Sequence, residues 1–166
     1  IVETHNNFIP DNTIEIQTPF IKYFFEDVKI VPVGVPPSRQ GIKIGESTAE
    51  IAKKLGASVK IIGSTDLTHY GASYGFTSMG SGKAALKWVK EQNDGSIIKT
   101  MLDMNPEAVI AEAEKNRNAC CAGAVAAAIS ASKKLGASNA ESIGYASSFD
   151  RSPGNSFVGY AGVVLW

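Results

Sequence analysis

Short β-branched runs alternate along this chain with segments of helical period, and that alternation limits the fold more than any other feature. Val28–Val35 reads VKIVPVGV, a buried-strand pattern stopped by Pro36-Pro37. Ile42 to Leu55 then repeats apolar residues at helical spacing through Ile44, Ala49, Ala52 and Leu55, with Gly56 as the stop. Val59–Gly63 is a second short strand. Helical segments follow at 83–92 and 95–103, and from Asn105-Pro106 to about Asn116, with Pro in the first turn. Cys121–Leu135 is a helix of small residues closed by Gly136, and its lack of bulk lets another backbone come close. The last two strands are Ser142–Ser148 and Phe157–Leu165, joined through a turn at Pro153-Gly154. Nearer the start, Asp11 to Thr13 can cap a helix in which Ile16, Phe20, Tyr23 and Phe24 share one face. Strands alternating with helices predict an α/β fold, a three-layer αβα sandwich around a mixed central sheet.

Composition narrows the class. The 166 residues suit one domain, 1–166, able to bury a core without disulfides. Sixteen basic residues balance sixteen acidic ones, which argues against a nucleic-acid footprint. No apolar run reaches the length of a membrane span, and no signal-peptide pattern is present, so a soluble, cytoplasmic protein without a membrane partner is expected. The two cysteines, Cys120 and Cys121, are adjacent and do not form a disulfide framework. The chain opens Ile1-Val2-Glu3 without Met, as a processed chain or a piece of a larger protein would.

Four places carry chemistry. Asp66-Leu67-Thr68-His69 follows a predicted strand, where open α/β sheets place their ligand sites. An Asp and a His three apart converge if the loop turns, giving an acid-base pair or metal ligands. The plain alternative is a helix-capping Asp and a packing His. Cys120-Cys121 stands at a helix entry, where a thiol becomes a better nucleophile and soft-metal ligand. The plain alternative is an inert buried thiol. Glu15 reads as first-turn capping and His5 as solvated. Tyr145, Tyr160 and Asp150 near strand ends carry no signal alone. Gly80-Ser81-Gly82-Lys83 lacks the full phosphate-loop spacing, which argues against nucleotide binding. A cysteine enzyme, with Cys121 as nucleophile and His69 as base, is a further arrangement these residues allow.

Taken in order, several segments resemble the Memo-like family. They are Asn12-Thr13-Ile14-Glu15 with Pro19, Ile30-Val31-Pro32-Val33, the block Ser64-Thr65-Asp66-Leu67-Thr68-His69-Tyr70-Gly71, the stretch from Ile97-Ile98 to Leu102-Asp103, the Cys121 segment, and Ser156-Phe157-Val158-Gly159-Tyr160-Ala161. That family is similar in fold to the LigB-type class III extradiol dioxygenases, non-heme iron enzymes with two His and one carboxylate on the metal. The resemblance implies a metal-binding oxidoreductase using iron or copper. Cys121 would take the carboxylate's place as metal ligand. His69 would be the acid-base residue, Asp66 its partner, and Glu15 and Tyr70 would line the substrate side. Asn12 stands where the family has His, and the family's metal-binding His pair precedes the region matched here. The resemblance therefore implies a site completed by an N-terminal segment or a second chain. It equally allows a non-enzymatic module that binds a protein ligand through a vestigial pocket.

Overall fold

The structure, a computed structural model, describes residues 12–166. It falls into two compact units, one ending at Gly34 and the other Val35–Trp166. The first contains α1 (Asn12–Glu15) and α2 (Thr18–Phe24), with Pro19 in the first turn of α2. The predicted apolar face of this unit is solvent-facing, since Ile16, Phe20, Tyr23 and Phe24 are all exposed. His5, and Asp11 of the expected cap, lie outside the described residues.

The second unit is an α/β structure. Its helices are α3 (Arg39–Lys54), α4 (Gly82–Trp88), α5 (Asp94–Leu102), α6 (Pro106–Asn116) and α7 (Ala122–Leu135). Its strands are β1 (His69–Tyr70), β2 (Ala140–Ser147) and β3 (Phe157–Leu165). They form one sheet in the order β1-β3-β2. Both pairings are antiparallel, with His69 opposite Val158 and Ser147 opposite Gly159. Among the described residues no parallel pair appears, which departs from the expected mixed sheet. The reason lies in Val28–Val35 and Val59–Gly63, which enter no ladder. Their β-branched side chains favour a pleated surface, but a strand also needs a neighbour to bond. Val31 and Ile62 are correspondingly exposed.

Local chemistry sets the helix ends. Ser38 caps α3 by accepting from the Gln40 N–H, and Asn105 caps α6 by accepting from Ala108. Gly136 adopts φ 113° after α7, a conformation that suits glycine. Between α4 and α5 the chain makes a π-turn, Val89–Asn93, so the two helices run on with one turn overwide. The predicted face of α3 is partly corrected: Ala49 and Ala52 are buried, together with Gly41, Ile42 and Gly45, but Leu55 is exposed.

Helix α7 forms the floor of this unit. It carries Gly123, Ala126, Ala127 and Ala131 where larger side chains would keep neighbours away. Gly45 of α3 lies so close that a Cβ there would strike the Ala127 carbonyl. A Cβ on Gly63 would meet Ala128, and one on Gly123 would meet the backbone of Val35 and Pro36. One core cluster gathers Leu67, Ile97, Met101, Val109, Val125 and Ile129. A second, aromatic cluster holds Tyr70, Ala85, Val89 and Phe157.

This packing gives a paired expectation. Gly45→Ala should destabilise the protein by about 1–3 kcal/mol, because the added methyl meets backbone that cannot yield. Gly95→Ala, whose Cβ would meet only the Lys90 carbonyl at 3.6 Å, should gain up to about 1 kcal/mol from helix propensity. Urea unfolding of both variants reads the difference. Equal effects would show that α3 does not rest on α7.

Candidate functional site

The site is built on the stretch between Thr65 and His69, which β3 holds at two points. Leu67 N–H donates to the Gly159 carbonyl at 2.9 Å, and Gly159 N–H donates to the Thr68 carbonyl at 3.1 Å. Leu67 enters the core and Thr68 is fully buried. Asp66 and His69 are left facing the same side, each with about a third of its side chain exposed. His69 Nε2 lies 3.2 Å from Asp66 Oδ2, so the pair expected from the three-residue spacing is formed.

A second segment closes the site. Cys120 N–H donates to the Asp66 carbonyl at 3.1 Å, and Asp66 N–H donates to Cys120 Sγ at 3.4 Å. Cys121 N–H donates to Thr65 Oγ1 at 2.9 Å. These bonds bring an Asp66 oxygen, a His69 nitrogen and Cys120 Sγ within 4.8 Å of one another, a group able to hold a metal ion. Cys121 Sγ lies 3.6 Å from Cys120 Sγ, so both thiols border the group.

The other predicted residues have distinct places. Tyr70 is fully buried, its ring stacked on Phe157, and its hydroxyl donates to the Gly80 carbonyl and accepts from Met79 N–H. Glu15 ends α1 in the first unit and is exposed. The sequence singled out both cysteines, and the resemblance chose Cys121 as ligand, whereas Cys120 is the one grouped with Asp66 and His69; the wall beside His69 was missed. There Tyr74 lies with its ring centroid 4.9 Å from that of His69. Arg117 holds the Tyr74 loop by donating to the carbonyls of Tyr74 and Gly75, while its guanidinium sits over Phe76. Arg117 ends α6 at φ 53°, a left-handed conformation that glycine more often supplies. The Tyr160 hydroxyl is held protonated above its ordinary range by burial, and further by the charge on Asp66.

Behind the site, Asp94 is fully buried and accepts from Thr68 N–H at 3.0 Å, from the Thr68 hydroxyl, and from the Tyr145 hydroxyl at 2.8 Å. Burial raises the Asp94 carboxyl above the usual carboxylate range, and the bonds from Thr68 and Tyr145 oppose that rise. Burial together with the nearby Asp94 charge pushes the Tyr145 hydroxyl upward. Asn93 Nδ2 donates to Thr68 Oγ1 as well. A separate apolar cleft of about 240 Å³ is lined by Thr65, Ile61, Ile62, Val125, Ile129 and Val163 among others, and not by Asp66, His69 or the cysteines. Among the described residues no helix is long and apolar enough to cross a membrane.

The raised Asp94 fixes the sign of a pH effect. A carboxyl raised on folding holds its proton more tightly in the native state. The stability it contributes is therefore fully present below the ordinary carboxylate range, about pH 4, and is lost as pH rises through the raised value. Asp94→Asn should flatten that decline, as read from urea midpoints across the pH range. An unchanged slope would show that Asp94 does not cause it.

Comparison with known proteins agrees with the order of the motifs. The family model described as Memo-like protein matches residues 2–164. A MEMO1 family protein of Pyrococcus furiosus is 34% identical over 93% of this chain and 56% of its own length. One from Pyrococcus horikoshii is 35% identical with the same coverage, and one from Methanococcoides burtonii is 31% identical over 93% of this chain and 55% of its own. The chain thus spans about half the length of these curated relatives.

Proposed function

Because this chain belongs to the Memo-like protein family, we propose that Asp66, His69 and the cysteines form the site of a metal-dependent oxidoreductase resembling class III extradiol dioxygenases, with the metal on cysteine sulfur and the Asp66–His69 acid-base pair beside it. The observation that carries the reading is the convergence of carboxylate, imidazole and thiol within 4.8 Å. Cysteine sulfur is a soft donor that fits iron or copper, with positions left open for further ligands. By the resemblance Cys121 would be the metal ligand, and Cys120, 3.6 Å from it, supplies the sulfur nearest Asp66 and His69. Histidine ligands from an N-terminal segment or a second chain complete the set. A bound iron or copper ion would supply Lewis acidity toward a vicinal diol and the electron exchange with dioxygen.

The chain's own residues do the rest. Asp66 orients His69 through the 3.2 Å contact, and the ring of Tyr74 limits its swing. His69 takes a proton from a diol hydroxyl and returns it later, the role suited to an imidazole at neutral pH. Tyr70 contributes from behind by fixing β1, which carries His69. Cysteines outside any disulfide suit a reducing, cytoplasmic setting.

Elemental analysis tests this on the chain alone and mixed with the part of the Pyrococcus furiosus relative that it does not match. About one iron or copper ion per chain is expected in the mixture. His69→Ala should weaken binding about tenfold or more and abolish catechol turnover while leaving the circular dichroism unchanged. No stoichiometric metal in either sample would overturn the proposal. Turnover indifferent to His69 would overturn the role given to that residue.

A further inference from the structure

Two thiols at adjacent positions, facing one another at 3.6 Å, are more than a metal site requires. Cys120 is exposed, and Cys121 is half-buried at the entry to α7. Cys120 Sγ accepts from the Asp66 N–H at 3.4 Å and has Thr65 Oγ1 at 3.7 Å. The His69 nitrogen lies within 4.8 Å of the same sulfur. An exposed sulfur with a backbone N–H donor and a second thiol beside it is the arrangement of a redox-reactive cysteine.

We propose that Cys120 and Cys121 form a hydroperoxide-reactive dithiol, in which Cys120 is oxidised first and Cys121 resolves it into a bond between neighbours. The Cys120 sulfur attacks one peroxide oxygen and the O–O bond breaks. The departing oxygen leaves as water, or as an alcohol from an organic hydroperoxide, carrying the thiol proton. Cys120 is then a sulfenic acid. The Cys121 sulfur attacks the Cys120 sulfur, the S–O bond breaks, and a water leaves with the Cys121 proton. In total two thiols lose two electrons and two protons, and one peroxide is reduced.

Exposure assigns the order of the two residues: the accessible sulfur meets the peroxide, and the half-buried one lies 3.6 Å behind it. Reversibility follows from chain geometry. Consecutive Cα atoms stand about 3.8 Å apart, closer than the usual separation of bridged cysteines. A bond between them is strained and therefore easily reduced. The chemistry involves no metal and does not rest on the oxidoreductase reading above.

The test treats the chain with hydrogen peroxide, blocks remaining thiols with iodoacetamide and measures intact mass, before and after chelation. The expected result is loss of two hydrogens with neither cysteine alkylated, reversed by dithiothreitol. Cys121→Ser should accumulate a sulfenic acid that dimedone traps. Cys120→Ser should lower peroxide consumption about tenfold. Two alkylatable thiols after peroxide, a disulfide between two chains, or equal consumption by Cys120→Ser would each overturn the proposal. Metal content of the same samples reports separately on the metal site.

Discussion

The structure depends on what α7 lacks. A helix of alanine, glycine and serine brings little bulk to its own surface, so three separate backbones rest on it: α3 at Gly45, the loop at Gly63, and the Val35-Pro36 turn at Gly123. Close packing of main chain on main chain leaves few voids and few alternative arrangements. It also fixes where α7 begins. Because Cys120 and Cys121 immediately precede that start, their position is set by how closely these backbones approach. The chemistry of the site is thus anchored by residues that carry almost none.

A second constraint acts from the other side. The buried Asp94 holds Thr68 by both its backbone N–H and its hydroxyl, and Tyr145 shares the carboxylate. Gly159 is where β3 crosses this carboxylate, and a side chain there would collide with it. With Thr68 pinned and Leu67 in the core, the residues on either side, Asp66 and His69, turn outward together. The contact between the acid and the imidazole follows from a buried acid that neither of them touches.

Much of this was legible in the sequence, for identifiable reasons. Helix α6 starts at Pro106 and ends at Asn116 as its Asn-Pro start predicts, and α7 ends before Gly136 as expected. The meeting of Asp66 and His69 follows from their spacing once the loop turns. The two early β-branched runs misled, because composition reports a preference for a pleated surface and cannot report whether a partner strand is present. The contact of Cys120 with Asp66 and the place of Tyr74 were missed, because a contact across 54 residues, or a ring brought in by a side chain such as Arg117, leaves no local pattern. Asp94 was invisible for a related reason: an acid inside a helical segment reads as a solvated face until its burial is known.

The π-turn at Val89–Asn93 gives the helical stretch from α4 to α5 one residue more than a regular spiral needs. That surplus makes this stretch unusual in how it would record insertions and deletions over evolutionary time. Losing a single residue here would restore an ordinary helix and improve its hydrogen bonding. It would also rotate everything after it by about 100°. Asn93 and Asp94 would then leave Thr68, and the loop bearing the site would lose its anchor. The irregularity is therefore a reading frame in three dimensions: helix length can drift elsewhere in the molecule, but here the count of residues is held by a carboxylate on the far side of the site.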